Sequence, residues 1–259
     1  MADSSATSVL SRGTGQSRRQ RTETHTWRSG GSTVARWEWD LVGWAVVLLG
    51  AGILFATLAE QTIGGTTGSS VAMLALWGGM LAAIIVAFVR SRPRGLLRFH
   101  PLDLVYGLGF GILLRLTQGW LETATTGSAA WPSYATLDGA LPANFWFDGV
   151  LVPVVGAPLL EEFFFHAVLL VAIYTAMRRR SGTRAWGWFV ALVVTTLLFV
   201  GSHAAFATLP SYEIASLGLV GLVCGGLVLS TARIWGAVIA HVVYNGMWVA
   251  MAVVGTVAG

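Results

Sequence analysis

Residues 158–170 read PLLEEFFFHAVLL. Glu161, Glu162 and His166 stand there inside an otherwise apolar run, and the fold turns on whether the surroundings are lipid or the core of a soluble domain. Composition decides for lipid. Of 259 residues, 55% are hydrophobic and 11% charged, with a mean hydropathy of +0.69, whereas a soluble domain carries about 25% charged residues.

Outward from that stretch, seven apolar segments reach or approach the roughly 20 residues a helix needs to cross the hydrocarbon layer. They lie at 41–59, 71–89, 102–118, 149–177, 186–206, 213–230 and 234–257. The third carries Asp103 and Arg115, and the fourth is long enough to break at 156–158, where Gly156 and Pro158 would turn seven passes into eight elements. The segments are continuous and lack a period of two, which excludes a β-barrel. The expected fold is an all-α, polytopic transmembrane bundle of seven to eight helices over 37–259. Residues 1–36, rich in Ser, Thr, Gly and Arg, have no apolar core of a signal peptide and read as a disordered basic tail, with His25 a bystander.

All 16 basic residues are arginines, and their placement orients the bundle. Cytoplasmic loops collect such residues. Six precede the first span, four follow the second, four follow the fourth and Arg233 follows the sixth, whereas the long segment 121–149 has none. The chain is therefore expected in the plasma (inner) membrane with its N-terminus cytoplasmic. Because the arginines fall in short clusters between spans, the net charge of +4 is not a nucleic-acid surface. Trp37, Trp39, Trp44, Trp146, Trp186, Trp188 and Trp235 sit near span ends, as interface anchors do. Gly107 and Gly111 would let helices approach closely. The single Cys224 has no partner for an intrachain disulfide and reads as a small packing residue.

Charged side chains within a span are costly and face a cavity or the bundle interior. Besides the two glutamates, His166, His203, His241 and Asn245 lie in apolar runs. Glu162 and His166 are four apart and share a helix face, as do His241 and Asn245, while Glu161 points about 100 degrees away from Glu162. Three spans thus each offer a polar face. An interhelical network, an ion pathway and hydrolysis all use these residue types. For hydrolysis, a carboxylate serves as general base, histidines hold a metal or polarise a carbonyl, and an Asn amide steadies an oxyanion.

The order of the motifs resembles that of the CPBP family of intramembrane proteases, also called the CAAX prenyl protease 2 or Abi family. Its hallmarks EExxxR, FxxxH and HxxxN/D correspond here to Glu161-Glu162-Phe-Phe-Phe-His166, Phe199-Val-Gly-Ser-His203 and His241-Val-Val-Tyr-Asn245. The resemblance implies a protease core over 149–250 that cleaves membrane-associated peptides or proteins in the bilayer. It further implies that Glu161 and Glu162 activate water, that His203 and His241 complete the centre, and that Asn245 steadies the oxyanion. If a metal is held, zinc fits best, through Glu161, His203 and His241. A scaffold or regulator with the same fold is the alternative, and a transporter the third reading.

One position departs from the family. Where the first motif ends in arginine, this chain has His166, which is expected to keep an orienting role toward Glu162; Arg115 is another source of the missing charge. Depth poses a second difficulty. Counted from helix ends at about 1.5 Å per residue, His241 lies roughly 10 Å and His203 roughly 25 Å from the inner side.

Overall fold

A computed structural model describes residues 27–29, 34, 36–93, 95–128, 131–136, 141–142 and 144–258. Among these residues seven helices are long and apolar enough to cross a membrane. They are α1 (Trp39–Thr62), α2 (Gly65–Arg90), α3 (Pro101–Thr126), α4 (Phe145–Ser181), α5 (Arg184–Ala204), α6 (Ser211–Thr231) and α7 (Trp235–Ala258). The chain is a multi-pass membrane protein. The third span, despite Asp103 and Arg115, is a full helix of 26 residues.

The expected break at 156–158 does not interrupt α4; the winding changes there instead. Phe145–Gly156 and Glu162–Leu169 are π-helical, with α-helical turns at Ala157–Glu161 and Leu170–Ser181. In the first wide stretch the Ala157 N–H donates to the carbonyl of Val152, five residues back. The next donor in that pattern would be Pro158, which has no N–H. The carbonyl of Pro153 is thereby left open, and Asn245 of α7 donates its Nδ2 to it at 2.8 Å. A gap in the backbone ladder becomes a link between helices.

The bundle is built around α4, whose residues 164–176 are all buried, with α1, α2, α5, α6 and α7 packed against it. Pairs of helices close on glycine. A Cβ on Gly79 of α2 would lie 2.4 Å from the Leu48 carbonyl of α1. On α3, a Cβ at Gly107 would lie 2.4 Å from the Ile239 Cβ, and one at Gly111 would lie 2.6 Å from the Ala240 carbonyl. These contacts seat α3 directly on α7.

The arginine-bearing ends meet on one side. Arg90 pairs with Asp40 and Arg179 with Glu38. Arg233, in the α6–α7 turn, grips the buried Asp103 of α3 with Nε at 3.0 Å from both carboxylate oxygens and Nη2 at 2.8 Å. Asp103 also accepts the His100 N–H at 2.8 Å, capping α3.

Two expectations change at this end. Trp27–Ser29 forms a 3-10 turn, and the buried Trp27 donates Nε1–H to the Ala232 carbonyl at 3.0 Å and packs edge-on against Tyr174. A boundary at 36 therefore falls inside the packed structure, because a tryptophan in the supposed tail has an apolar seat under α7. Residues 1–26, His25 among them, lie outside the described residues. Trp37 is likewise no interface anchor: it is buried and donates to the Ala87 carbonyl at 3.0 Å. Trp39, Trp44, Trp146 and Trp186 are exposed, as anchors are.

Removing one partner of a buried ion pair strands the other, at about 3–5 kcal/mol. Arg233→Ala is accordingly expected to lower the thermal unfolding midpoint clearly in detergent or nanodiscs. Arg233→Ala combined with Asp103→Asn is expected to recover part of the loss.

Candidate active site

Glu162 is fully buried, and its carboxylate is held from two sides. His166 Nδ1 donates to Oε2 at 2.7 Å, and His241 Nδ1, from α7, donates to Oε1 at 2.9 Å. A carboxylate deprived of water is tolerable only with such donors. The i, i+4 pair predicted for α4 is thus formed, although in a π-helical stretch, where wider turns still keep positions four apart on one face.

Glu161 takes another direction, as expected, and keeps some solvent exposure. Its Oε2 lies 3.9 Å from His203 Nε2 and 3.8 Å from His241 Nε2. His203 Nδ1 donates to the Phe199 carbonyl at 2.9 Å, one turn back on α5. Carbonyl and carboxylate oxygens only accept, so the hydrogens of His203 and His241 sit on Nδ1 and both rings turn Nε2 toward Glu161. The separations exceed a direct hydrogen bond. The three groups therefore surround a point instead of pairing.

The depth conflict disappears because the helix ends are not level. The α6–α7 turn is set back behind a cover formed by Trp27 and the loop before α3. Ile234 donates its N–H to the Leu96 carbonyl at 2.9 Å, Trp235 Nε1 donates to the Leu97 carbonyl at 2.8 Å, and Leu96 and Ile234 are fully buried. α7 starts within the bundle, which lifts His241 toward His203.

Phe199 was singled out only as a motif letter, yet its buried ring is the common wall of the site. Its centroid lies 4.7 Å from that of His203, 5.9 Å from His241 and 6.2 Å from His166. The signal was its place four residues before His203. Of the other groups, Cys224 is buried, with its thiol 3.6 Å from the Ala237 carbonyl. His166 has no hydrogen bond at Nε2, and that edge of its ring faces Gly225 on α6, where a Cβ would come within 3.3 Å of the His166 Cδ2. Arg115 does not approach the glutamates; it lies on the wall of a cavity farther out.

That cavity, of about 300 Å³, is lined by His203, Asn245, Tyr244, Arg115, Gln118 and Glu213 among others. Leu209 and Glu213, in and just after the α5–α6 connection, bring it to the end of the bundle opposite the arginines. Of the predicted residues, His203 and Asn245 line it, Glu161 is half-buried behind His203, and Glu162, His166 and His241 are buried. The donor types suit zinc, but among the described residues no three His, Cys, Asp or Glu side chains are gathered into a metal-holding group.

Residues 143–247 match a family model described as "Type II CAAX prenyl endopeptidase Rce1-like". The match runs from the start of α4 into α7 and contains all six predicted site residues. No curated protein matches the chain, and no solved structure matches it.

His166→Phe keeps the ring and removes a donor from a buried carboxylate, a loss of about 1–3 kcal/mol, and is expected to lower the unfolding midpoint. Phe199→Ala removes the shared wall at about 3–5 kcal/mol. Its chemical shifts for the three imidazoles should move together in the 15N NMR spectrum of histidine-labelled protein; a change confined to His203 would refute the shared wall.

Proposed function

We propose that this chain, whose residues 143–247 match the model of Rce1-like type II CAAX prenyl endopeptidases, is an intramembrane endopeptidase that cleaves membrane-associated substrates with a water activated by Glu161. The observation that carries this reading is the convergence of the Glu161 carboxylate and two imidazole Nε2 edges, from three helices, beside a cavity that opens at one end.

A water among Glu161, His203 and His241 gives a proton to Glu161 as its oxygen bonds to the scissile carbonyl carbon. The carbonyl oxygen becomes an oxyanion. Asn245 Nδ2 has one hydrogen engaged by Pro153, and its second donates to that oxygen. Glu161 then returns the proton to the departing amine as the C–N bond breaks. Glu162 and His166 are positioning residues: the carboxylate fixes the His241 ring through Nδ1, and His166 fixes the carboxylate. His166 thus takes the place of the family's arginine without a permanent charge.

The side of access follows from charge. Arginines mark the cytoplasmic end, and the cavity opens at the other, so substrate reaches the site from the extracytoplasmic face of the plasma membrane. A transport path gains no support, because the inner end beneath the site is filled by Trp27, Leu96 and Ile234, all buried.

In proteoliposomes holding lipidated test peptides, Glu161→Gln is expected to lower cleavage by about 10²-fold or more, the scale of a lost general base, and His203→Ala to lower it comparably. Chelation decides the part of a metal: loss of activity restored by zinc would assign one to Glu161, His203 and His241, and an unchanged rate would leave Glu161 to act alone. Equal cleavage by wild type and Glu161→Gln would remove Glu161 from the chemistry. For sidedness, Glu213→Cys should react with a membrane-impermeant maleimide in right-side-out vesicles and Arg98→Cys only after permeabilisation. The reverse pattern would invert the topology.

A further inference from the structure

Gly107, Gly111 and Arg115 follow one another at intervals of four on α3, the stripe that rides on α7. The glycines bring the backbones into contact, and the same register delivers Arg115 into the bundle, where it is only 8% exposed. Its Nε donates to the Tyr244 carbonyl at 3.1 Å, and the guanidinium carbon stands 4.1 Å above the centre of the Tyr244 ring. Among the described residues it forms no ion pair, and its two terminal nitrogens have no hydrogen bond. Glu122 is close enough to act on its charge but forms no ion pair with it, and a permanent cation in a membrane interior without a direct anionic partner is costly and marks a functional position.

The free nitrogens of Arg115 face open space. Arg115 lines the cavity that contains His203 and Asn245, and it also lines an adjoining space that continues outward past Glu122 and Trp131. Gln118, one turn on, accepts the Tyr244 hydroxyl with Oε1, which leaves its NH2 as a donor. Tyr244 thereby locks both side chains in place. Its carbonyl lies three residues beyond His241 on α7, about 4.5 Å farther out at the rise of a helix. The cation stands beside the reacting point, not at it.

We propose that Arg115, supported by Gln118, is a specificity-determining subsite that binds a carboxylate of the substrate about one helical turn outward of the scissile bond. A guanidinium presents parallel N–H groups to a planar carboxylate. Two sources share that chemistry, the C-terminal carboxylate of a peptide and the side chain of an Asp or Glu. Glu213, on the same wall, and Glu122, farther out, compete with a bound anion for the guanidinium. The assignment rests on the proteolytic reading for its purpose but not for its binding.

The test uses the full chain carrying Glu161→Gln, in phosphatidylcholine nanodiscs, and three dye-labelled lipidated peptides of one sequence: free acid, carboxamide, and carboxamide with a terminal Asp. Anisotropy should show the acid or the Asp peptide binding about tenfold tighter than the plain amide; which of the two is preferred identifies the source. Adding Arg115→Gln should bring all three affinities together. Equal binding of the three peptides, absent binding, or a preference that survives Arg115→Gln would overturn the subsite. Loss of the preference when phosphatidylglycerol is added would assign Arg115 to a lipid phosphate and overturn it as well. Should Arg115→Gln fail to fold, Glu213→Gln leaves the arginine in place and is expected to widen the preference; an unchanged ratio counts against the proposal. Selective binding without any cleavage by the wild type would sink the protease reading and leave the subsite standing.

Discussion

Everything at the centre of this bundle is arranged around one carboxylate without water. Glu162 is inaccessible to solvent, so its charge must be met by protein donors, and among the described residues two imidazoles hydrogen-bond to it, His166 from the same helix and His241 from α7, with the buried Cys224 thiol of α6 close by. An ionised group left alone in such a place would cost several kcal/mol. The requirement fixes the facing of α4 toward α7 to within a hydrogen bond. It also fixes the His241 ring, since Nδ1 belongs to Glu162 and Nε2 is left for Glu161. One buried charge therefore sets the geometry of the more exposed one.

The outer half of the bundle obeys a second constraint, the closeness of α3 to α7. Asp103, Gly107, Gly111 and Arg115 form one stripe with distinct tasks along its length. Asp103 anchors the inner end to Arg233, the glycines remove the side chains that would separate the backbones, and Arg115 arrives at the cavity. Pro158 contributes the corresponding link from α4, because the carbonyl it leaves open is the one that Asn245 takes. Asn245 is thus fixed by structure before it has any part in chemistry.

Much of this was legible in the sequence. Span number, the pairing of Glu162 with His166, the arginine-rich end and the close approach at Gly107 and Gly111 all follow from periodicity, charge and residue size. What periodicity misses is winding: a π-helical turn changes which carbonyl a proline orphans, and nothing in the letters around 145–169 announces it. Depth was misread for a related reason. Counting from helix ends assumes level ends, whereas Trp27 and the loop at 95–98 cover the start of α7 and set it back. Trp37 was misplaced because a tryptophan at a span boundary serves equally as anchor or as core, and only the available seat against Ala87 decides.

His166 shows how a buried carboxylate is served without an arginine. An arginine at this position would bring a permanent cation and five donors, whereas the imidazole needs only one N–H to serve Glu162, and His241 supplies the other. The ring is also short enough to fit against Gly225, whose own substitution would crowd Leu192 and His166 together, with a Cβ 2.7 Å from the Leu192 Cδ1. A guanidinium at 166 would need more length in a place closed by Leu192 and Phe199. The ring leaves only Nε2 without a hydrogen bond, fewer unsatisfied groups than the remaining donors of a guanidinium would leave in the same seat. The permanent charge on the interior wall is instead Arg115 of α3, which lines the cavity and forms no ion pair with Glu161 or Glu162.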